Sequence, residues 1–203
     1  MGNKNVRHKS PVALVLVDVV NHFEFLEGDK ILKNALPIAP RLARLKKMAR
    51  ESKVPVIYVN DNFGRWRSDF RRQVEHCLKK NSRAAEMVMA LRPEESDYFV
   101  LKPKHSGFFA TTLETLLRYL GARRLILTGI AGNFCVLFTA NDAYMRDYEI
   151  IVPPDCVISN TVKENRQALQ LMRKFLSADL RPSARVAFPR ARTNSRAKRR
   201  AAA

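Results

Sequence analysis

Unbroken apolar runs alternate along this chain with segments whose apolar positions recur every three to four residues. Val12 to Val17 is continuous hydrocarbon, the pattern of a strand covered on both faces. Four further runs read as strands: Pro55 to Asn60, Asp97 to Leu101, Arg123 to Thr128 and Glu149 to Val152, with Ala184 to Phe188 a candidate sixth. The segments between them have helical spacing. Ile38 to Glu51 carries Leu42, Leu45 and Met48 on one face. Thr112 to Leu120 carries Leu113, Leu116, Leu117 and Leu120 and closes at Gly121. Ser82 to Leu91 and Asn133 to Arg146 are also read as helical. Thr161 to Leu176 places Leu169, Met172 and Phe175 together, with Thr161 as N-cap. Asn62 to Asn81 is polar, basic and aromatic, a long loop with some helix. Strands separated by helices predict right-handed βαβ crossovers. The expected fold is α/β: one domain, a doubly wound sheet of about six mainly parallel strands, with helices on both faces.

In such sheets ligands bind at the carboxyl ends of the strands. Asp18 follows the first predicted strand, Lys102 the third, and Cys135 the turn after the fourth, so residues far apart in sequence meet on one rim. A thiol where a helix begins feels the positive end of the peptide dipoles, which favours thiolate, and nearby amides can hold an oxyanion. An ammonium from Lys102 would lower the thiol pKa further, and a carboxylate from Asp18 would accept its proton. Each residue also has a plainer reading. Cys135 could be a small buried side chain under a strand-to-helix turn, Asp18 a turn former, and Lys102 a solvated strand end. Lys104 is nearly as well placed by spacing.

Length and composition narrow the class. At 203 residues and 46% hydrophobic, the chain suits one globular domain. No run of 18 apolar residues implies a membrane span. Three cysteines (Cys77, Cys135, Cys156), none in a CxxC pair, and no secretory signal point to a reducing, cytoplasmic setting. The net charge is +18, and six basic residues lie between Arg190 and Ala203 with no acidic one. The expected organisation is a basic extension over 1–10, a folded domain over 11–188 and a basic disordered tail over 189–203. Such a tail can bind a polyanion weakly through phosphate neutralisation, or simply stay solvated.

Three segments in order, VLVDVVNHF, FVLKPKHSGFFATTLETLL and LTGIAGNFCVLFTANDAYMRDYEIIVPPDC, resemble the isochorismatase-like cysteine hydrolase superfamily over about residues 11 to 178. The resemblance implies Asp18 as proton acceptor, Lys102 as the group tuning the thiolate, and Cys135 as the nucleophile that forms a thioester. It implies a cis peptide at Ile130–Ala131 and an oxyanion hole from the amides of Ala131 and Cys135. It implies a small-molecule substrate and a homo-oligomer, dimer or tetramer. Nicotinamidases of this family bind a metal through Asp-x-His after the second strand. Here that stretch reads Asn60-Asp61-Asn62-Phe63, without histidine, so no metal and no cofactor are expected, as in the metal-independent amidohydrolase branch. Gly132 stands where relatives often carry Thr or Ser. Phe23, Asn62, Trp66, Arg67 and Phe108 are the candidate substrate contacts, with Arg65 beside them, while Phe134 is assigned to ordinary packing. The implied reaction is hydrolysis of a C–N bond in a small amide or ureido compound. The alternatives are an isochorismatase-type enol-ether hydrolase, or a catalytically idle α/β module binding polyanions through its tail.

Overall fold

The apolar run Val12–Val17 becomes β1, buried at every position, in the middle of a six-stranded sheet. The computed structural model describes residues 9–64, 69–79 and 82–189. β2 (Val56–Asp61) pairs with β1 on one side, and β3 (Tyr98–Lys102) pairs with β2. The chain then returns to the other side of β1 with β4 (Arg124–Ile130) and continues outward to β5 (Glu149–Ile151). A two-residue strand, β6 (Val157–Ile158), pairs with the far end of β4. All the pairings are parallel, in the order β3-β2-β1-β4-β5. The direction of winding reverses between β1 and β4. The crevice at their carboxyl ends is therefore the place this topology leaves open for a ligand.

Strand alternation sorts β1 into two cores. Val12, Leu14 and Leu16 face the helices α1 (Gly28–Ala35), α2 (Ala39–Glu51), α3 (Phe70–Cys77) and α4 (Ala85–Ala90). Ala13, Val15 and Val17 face α5 (Leu113–Leu120), α6 (Leu137–Tyr144) and α7 (Val162–Phe175). Each fully buried Val or Leu here contributes about 1.5–3 kcal/mol relative to exposure, so the register of β1 is strongly fixed. The helix ends follow local chemistry. Gly121 closes α5 in the left-handed region at φ 72°, and Thr161 Oγ1 accepts the Glu164 N–H at the start of α7. Among the described residues no helix is long and apolar enough to cross a membrane.

Three elements depart from the expected pattern. α1 was not anticipated, because its eight residues begin with glycine and offer only a short apolar stripe. Ala184 to Phe188 is not the sixth strand. Ser183–Arg185 forms a single 3-10 turn, pinned by Asp155, which accepts from the Ser183 N–H (2.8 Å) and hydroxyl (2.6 Å). β6 is the sixth strand instead, too short to carry a period. The helix expected from Asn133 begins as one π-helical turn, Gly132–Val136, before α6 proper. The terminal extensions lie almost wholly outside the described residues.

Candidate active site

Asp18 directly follows β1. Its N–H extends the ladder by bonding the Val59 carbonyl at 2.9 Å, and the backbone then turns through the left-handed region at φ 49°. That conformation is uncommon outside glycine, and Asp tolerates it better than most. The carboxylate is buried: Oδ1 accepts the Asp61 N–H at 2.7 Å, and Oδ2 meets Lys102 Nζ at 2.9 Å. Lys102 is the last residue of β3, and its side chain is fully buried. Its ammonium also lies 3.5 Å from Cys135 Sγ and 3.3 Å from Asp61 Oδ2. Lys104 is exposed, so Lys102 is the lysine that meets Asp18 and the thiol.

The turn carrying Cys135 has tight requirements. Gly129, at φ 109°, lies so close to β1 that a Cβ there would sit 2.0 Å from the Val17 carbonyl oxygen. The Ile130–Ala131 peptide bond is cis. At Gly132 a Cβ would meet Asn165 Oδ1 at 2.4 Å and Val157 Cγ1 at 2.7 Å. The Ser159 hydroxyl, just past β6, accepts the Asn133 N–H (2.9 Å) and donates to Asn165 Oδ1 (3.0 Å). The chain thus lacks a hydroxyl at position 132 and brings one to the same turn from Ser159. One turn later the Thr139 hydroxyl donates to the Cys135 carbonyl at 2.7 Å, tying the π-turn to α6.

Burial pushes the Asp18 carboxyl above its ordinary range, and the Lys102 ammonium only partly offsets this. Burial alone would lower Lys102, but Asp18, Cys135 and Asp61 together raise it, so it stays charged. The Cys135 thiol is pushed up to about 12, first by burial and then by the Asp18 carboxylate, with Lys102 opposing. This corrects the expectation of a resting thiolate. Desolvation and the neighbouring Asp18 outweigh the ammonium, so the thiol form of Cys135 is favoured, next to a carboxyl group placed to exchange its proton.

A cleft of about 480 Å³ opens over these groups, with Asp18, Asp61, Ala131 and Cys135 on its floor. Phe25, Phe63, Phe134 and His105 supply its apolar walls, and Asn21 and Asn160 its carboxamides. A larger groove, about 750 Å³, lies at the opposite end of β4 and is lined instead by groups such as Arg124, Glu149 and Asp179.

Several expected contacts fall elsewhere. Phe23 is fully buried in the core against α1 and α2, because a left-handed turn at φ 56° takes its ring inward. Phe25, two residues on, lines the cleft in its place. Phe108 packs in the opposite core, with the Arg146 guanidinium 4.9 Å from its ring centroid. Asn62 is buried in a turn, where its Oδ1 accepts the Gly64 N–H at 2.9 Å. Phe134, assigned to packing, is half exposed on the cleft wall, edge-on to His105. Arg65, Trp66 and Arg67 lie outside the described residues. Asp61, which the sequence reading considers only in setting a metal site aside, ends β2 just as Asp18 follows β1. Among the described residues no group of three or more His, Cys, Asp or Glu is placed to hold a metal ion.

Known proteins are similar to this chain in sequence and in fold. The uncharacterized isochorismatase family protein YaaI of Bacillus subtilis strain 168 is 45% identical over 172 residues, covering 85% of this chain and 94% of its own. A ureidoacrylate amidohydrolase, RutB, of Methylorubrum extorquens strain DSM 6343 is 33% identical over 142 residues, covering 59% of this chain and 56% of its own. The crystal structure of N-carbamoylsarcosine amidase from Thermoplasma acidophilum superposes with a TM-score of 0.66 at 28% identity, covering 86% of this chain and 98% of that one. Residues 12–180 match the isochorismatase domain, and the chain belongs to the isochorismatase family.

Proposed function

We propose that the protein is a cysteine amidohydrolase, cleaving the C–N bond of a small amide or ureido substrate through a thioester on Cys135. The observation that carries this reading is the buried Lys102 ammonium, 2.9 Å from Asp18 and 3.5 Å from Cys135, two residues that line the cleft. The names of two relatives, a ureidoacrylate amidohydrolase and an N-carbamoylsarcosine amidase, support C–N hydrolysis as the reaction class.

The chemistry follows from the proton inventory. Asp18 takes the Cys135 proton as sulfur attacks the carbonyl carbon, so charge moves within the site without net gain. The Lys102 ammonium, held between the two groups, stabilises whichever is anionic. The oxyanion of the tetrahedral intermediate accepts hydrogen bonds from the amides of Ala131 and Cys135. Collapse breaks the C–N bond, and Asp18 returns its proton to the leaving nitrogen. A water then loses a proton to Asp18 and attacks the thioester. The acid product leaves, and the proton goes back to sulfur. None of these steps calls for a metal. A positioned thiol favours this reading over enol-ether hydrolysis, which needs no thioester.

The test is ammonia release from a panel of small carboxamides and ureido acids. Turnover of at least one is expected. Cys135→Ser and Asp18→Asn should each lower it by at least about a thousandfold with the fold retained, and EDTA should leave it unchanged. Turnover that survives Cys135→Ser, or that a chelator abolishes and metal restores, contradicts the reading.

A further inference from the structure

We propose that Asp61 is a positioning residue of this site: it anchors the Lys102 ammonium between two carboxylates and helps keep one proton on the Asp18–Cys135 pair. The inference rests on the cysteine-hydrolase reading above and adds a residue that mechanism does not use.

A lysine ammonium has three N–H donors and no acceptor. In this site they have three partners: Asp18 Oδ2 at 2.9 Å, Asp61 Oδ2 at 3.3 Å and Cys135 Sγ at 3.5 Å. The Lys102 side chain is fully buried, so its charge depends on these partners for compensation. Asp61 is held firmly for that task. The β2–β3 register sets it directly opposite Lys102. Its N–H donates to Asp18 Oδ1 at 2.7 Å, its carbonyl accepts from Gln73 Nε2 at 3.1 Å, and its Oδ1 accepts the Phe63 N–H at 2.6 Å. One residue therefore grips the ammonium and the proton acceptor together. Its side chain remains 29% exposed on the cleft floor, unlike Asp18.

The charge count gives the consequence. With Cys135 as thiol, two carboxylates face one ammonium, and the site carries one net negative charge. Moving the thiol proton to Asp18 leaves that count unchanged, whereas removing the proton to solvent makes it more negative. Asp61 thus opposes loss of the shared proton. The groups that face it are Asp18 after β1, Lys102 on β3 and Cys135 on the nucleophile turn, with exposed His105 on the cleft wall and neutral Gln73 from α3.

Asp61→Asn tests this, since it keeps the shape and removes the charge. Both limbs of the kcat/KM–pH profile should move to lower pH by about one unit. Below the thiol pKa, iodoacetamide should alkylate Cys135 faster. A tenfold larger thiolate fraction, offset by weaker intrinsic nucleophilicity, nets roughly threefold. Asp61→Glu, which restores the charge, should return both readouts toward native values. Asp61→Ser, which keeps an acceptor for Phe63, should speed alkylation as Asp61→Asn does. This gives a second readout if the asparagine variant does not fold. Limbs and alkylation rates that stay in place in the folded variants overturn the inference and leave Asp61 a turn former. Turnover that survives Cys135→Ser removes the parent reading instead, so the two failures are distinguishable.

Discussion

In the proposed mechanism Cys135 and Asp18 exchange one proton, and that proton governs the pH behaviour expected of the enzyme. Asp18 must be ionised to accept the thiol proton, and burial raises its pKa above the ordinary carboxylate range. Activity should therefore rise with pH through a midpoint higher than that of a solvent-exposed aspartate, measured as kcat/KM against pH, with apparent values that belong to the pair. The alkaline limb should lie far above neutrality, since the thiol is pushed up to about 12. Cys77 and Cys156 are also pushed up to about 12, but they are 1% and 0% exposed, whereas Cys135 lines the cleft. Iodoacetamide should label Cys135 first, and more slowly after Lys102→Ala. Equal labelling of the three thiols would argue against an accessible, activated Cys135.

At the scale of elements, the turn between β4 and α6 depends on contacts from β1, β6 and α7. A methyl at Gly132 would strike Asn165 and Val157, so Gly132→Ala should lower both thermal stability and kcat. Ser159→Ala leaves the Asn133 N–H without its hydroxyl acceptor, which costs about 1–3 kcal/mol when such a group is buried; Ser159→Thr should recover most of the loss. These dependencies were not legible in the sequence, because Ser159 and Asn165 follow a two-residue strand that leaves no period to read. The long strands were legible for the opposite reason. β1 is an unbroken apolar run and β4 is centred on the run Leu125-Ile126-Leu127, both buried almost throughout, and α5 shows in its leucines and Gly121. Phe23 and Phe108 were misplaced because an aromatic near the site looks alike whether it turns inward or outward. At Phe23 the backbone takes a left-handed conformation, which sequence does not display.

At the scale of the whole molecule, winding reversal gathers the chemistry. Asp18, Asp61, Lys102 and Cys135 come from the ends of four successive strands, β1 to β4, and meet only because β1 and β4 are neighbours. That convergence was readable once the strands were placed, because parallel sheets put all carboxyl ends on one rim. The second carboxylate on Lys102 was not, since register alone sets Asp61 opposite it. The same convergence gives Lys102 a structural role beside its proposed chemical one. Lys102→Met leaves Asp18 buried without its counter-ion and should cost about 3–5 kcal/mol in urea unfolding at neutral pH. The deficit should shrink as pH falls and Asp18 takes a proton. The six basic residues from Arg190 onward lie apart from this chemistry in sequence. Deleting 190–203 should reduce retention on heparin and leave amide turnover intact.

The most direct measurement is intact-mass analysis of the enzyme, acid-quenched during turnover of whichever amide the ammonia assay identifies. The account predicts an added mass equal to the substrate acyl group, mapped to the peptide carrying Cys135 and released by hydroxylamine. Steady turnover with no adduct on that peptide, matched by undiminished activity in Cys135→Ser, would contradict it.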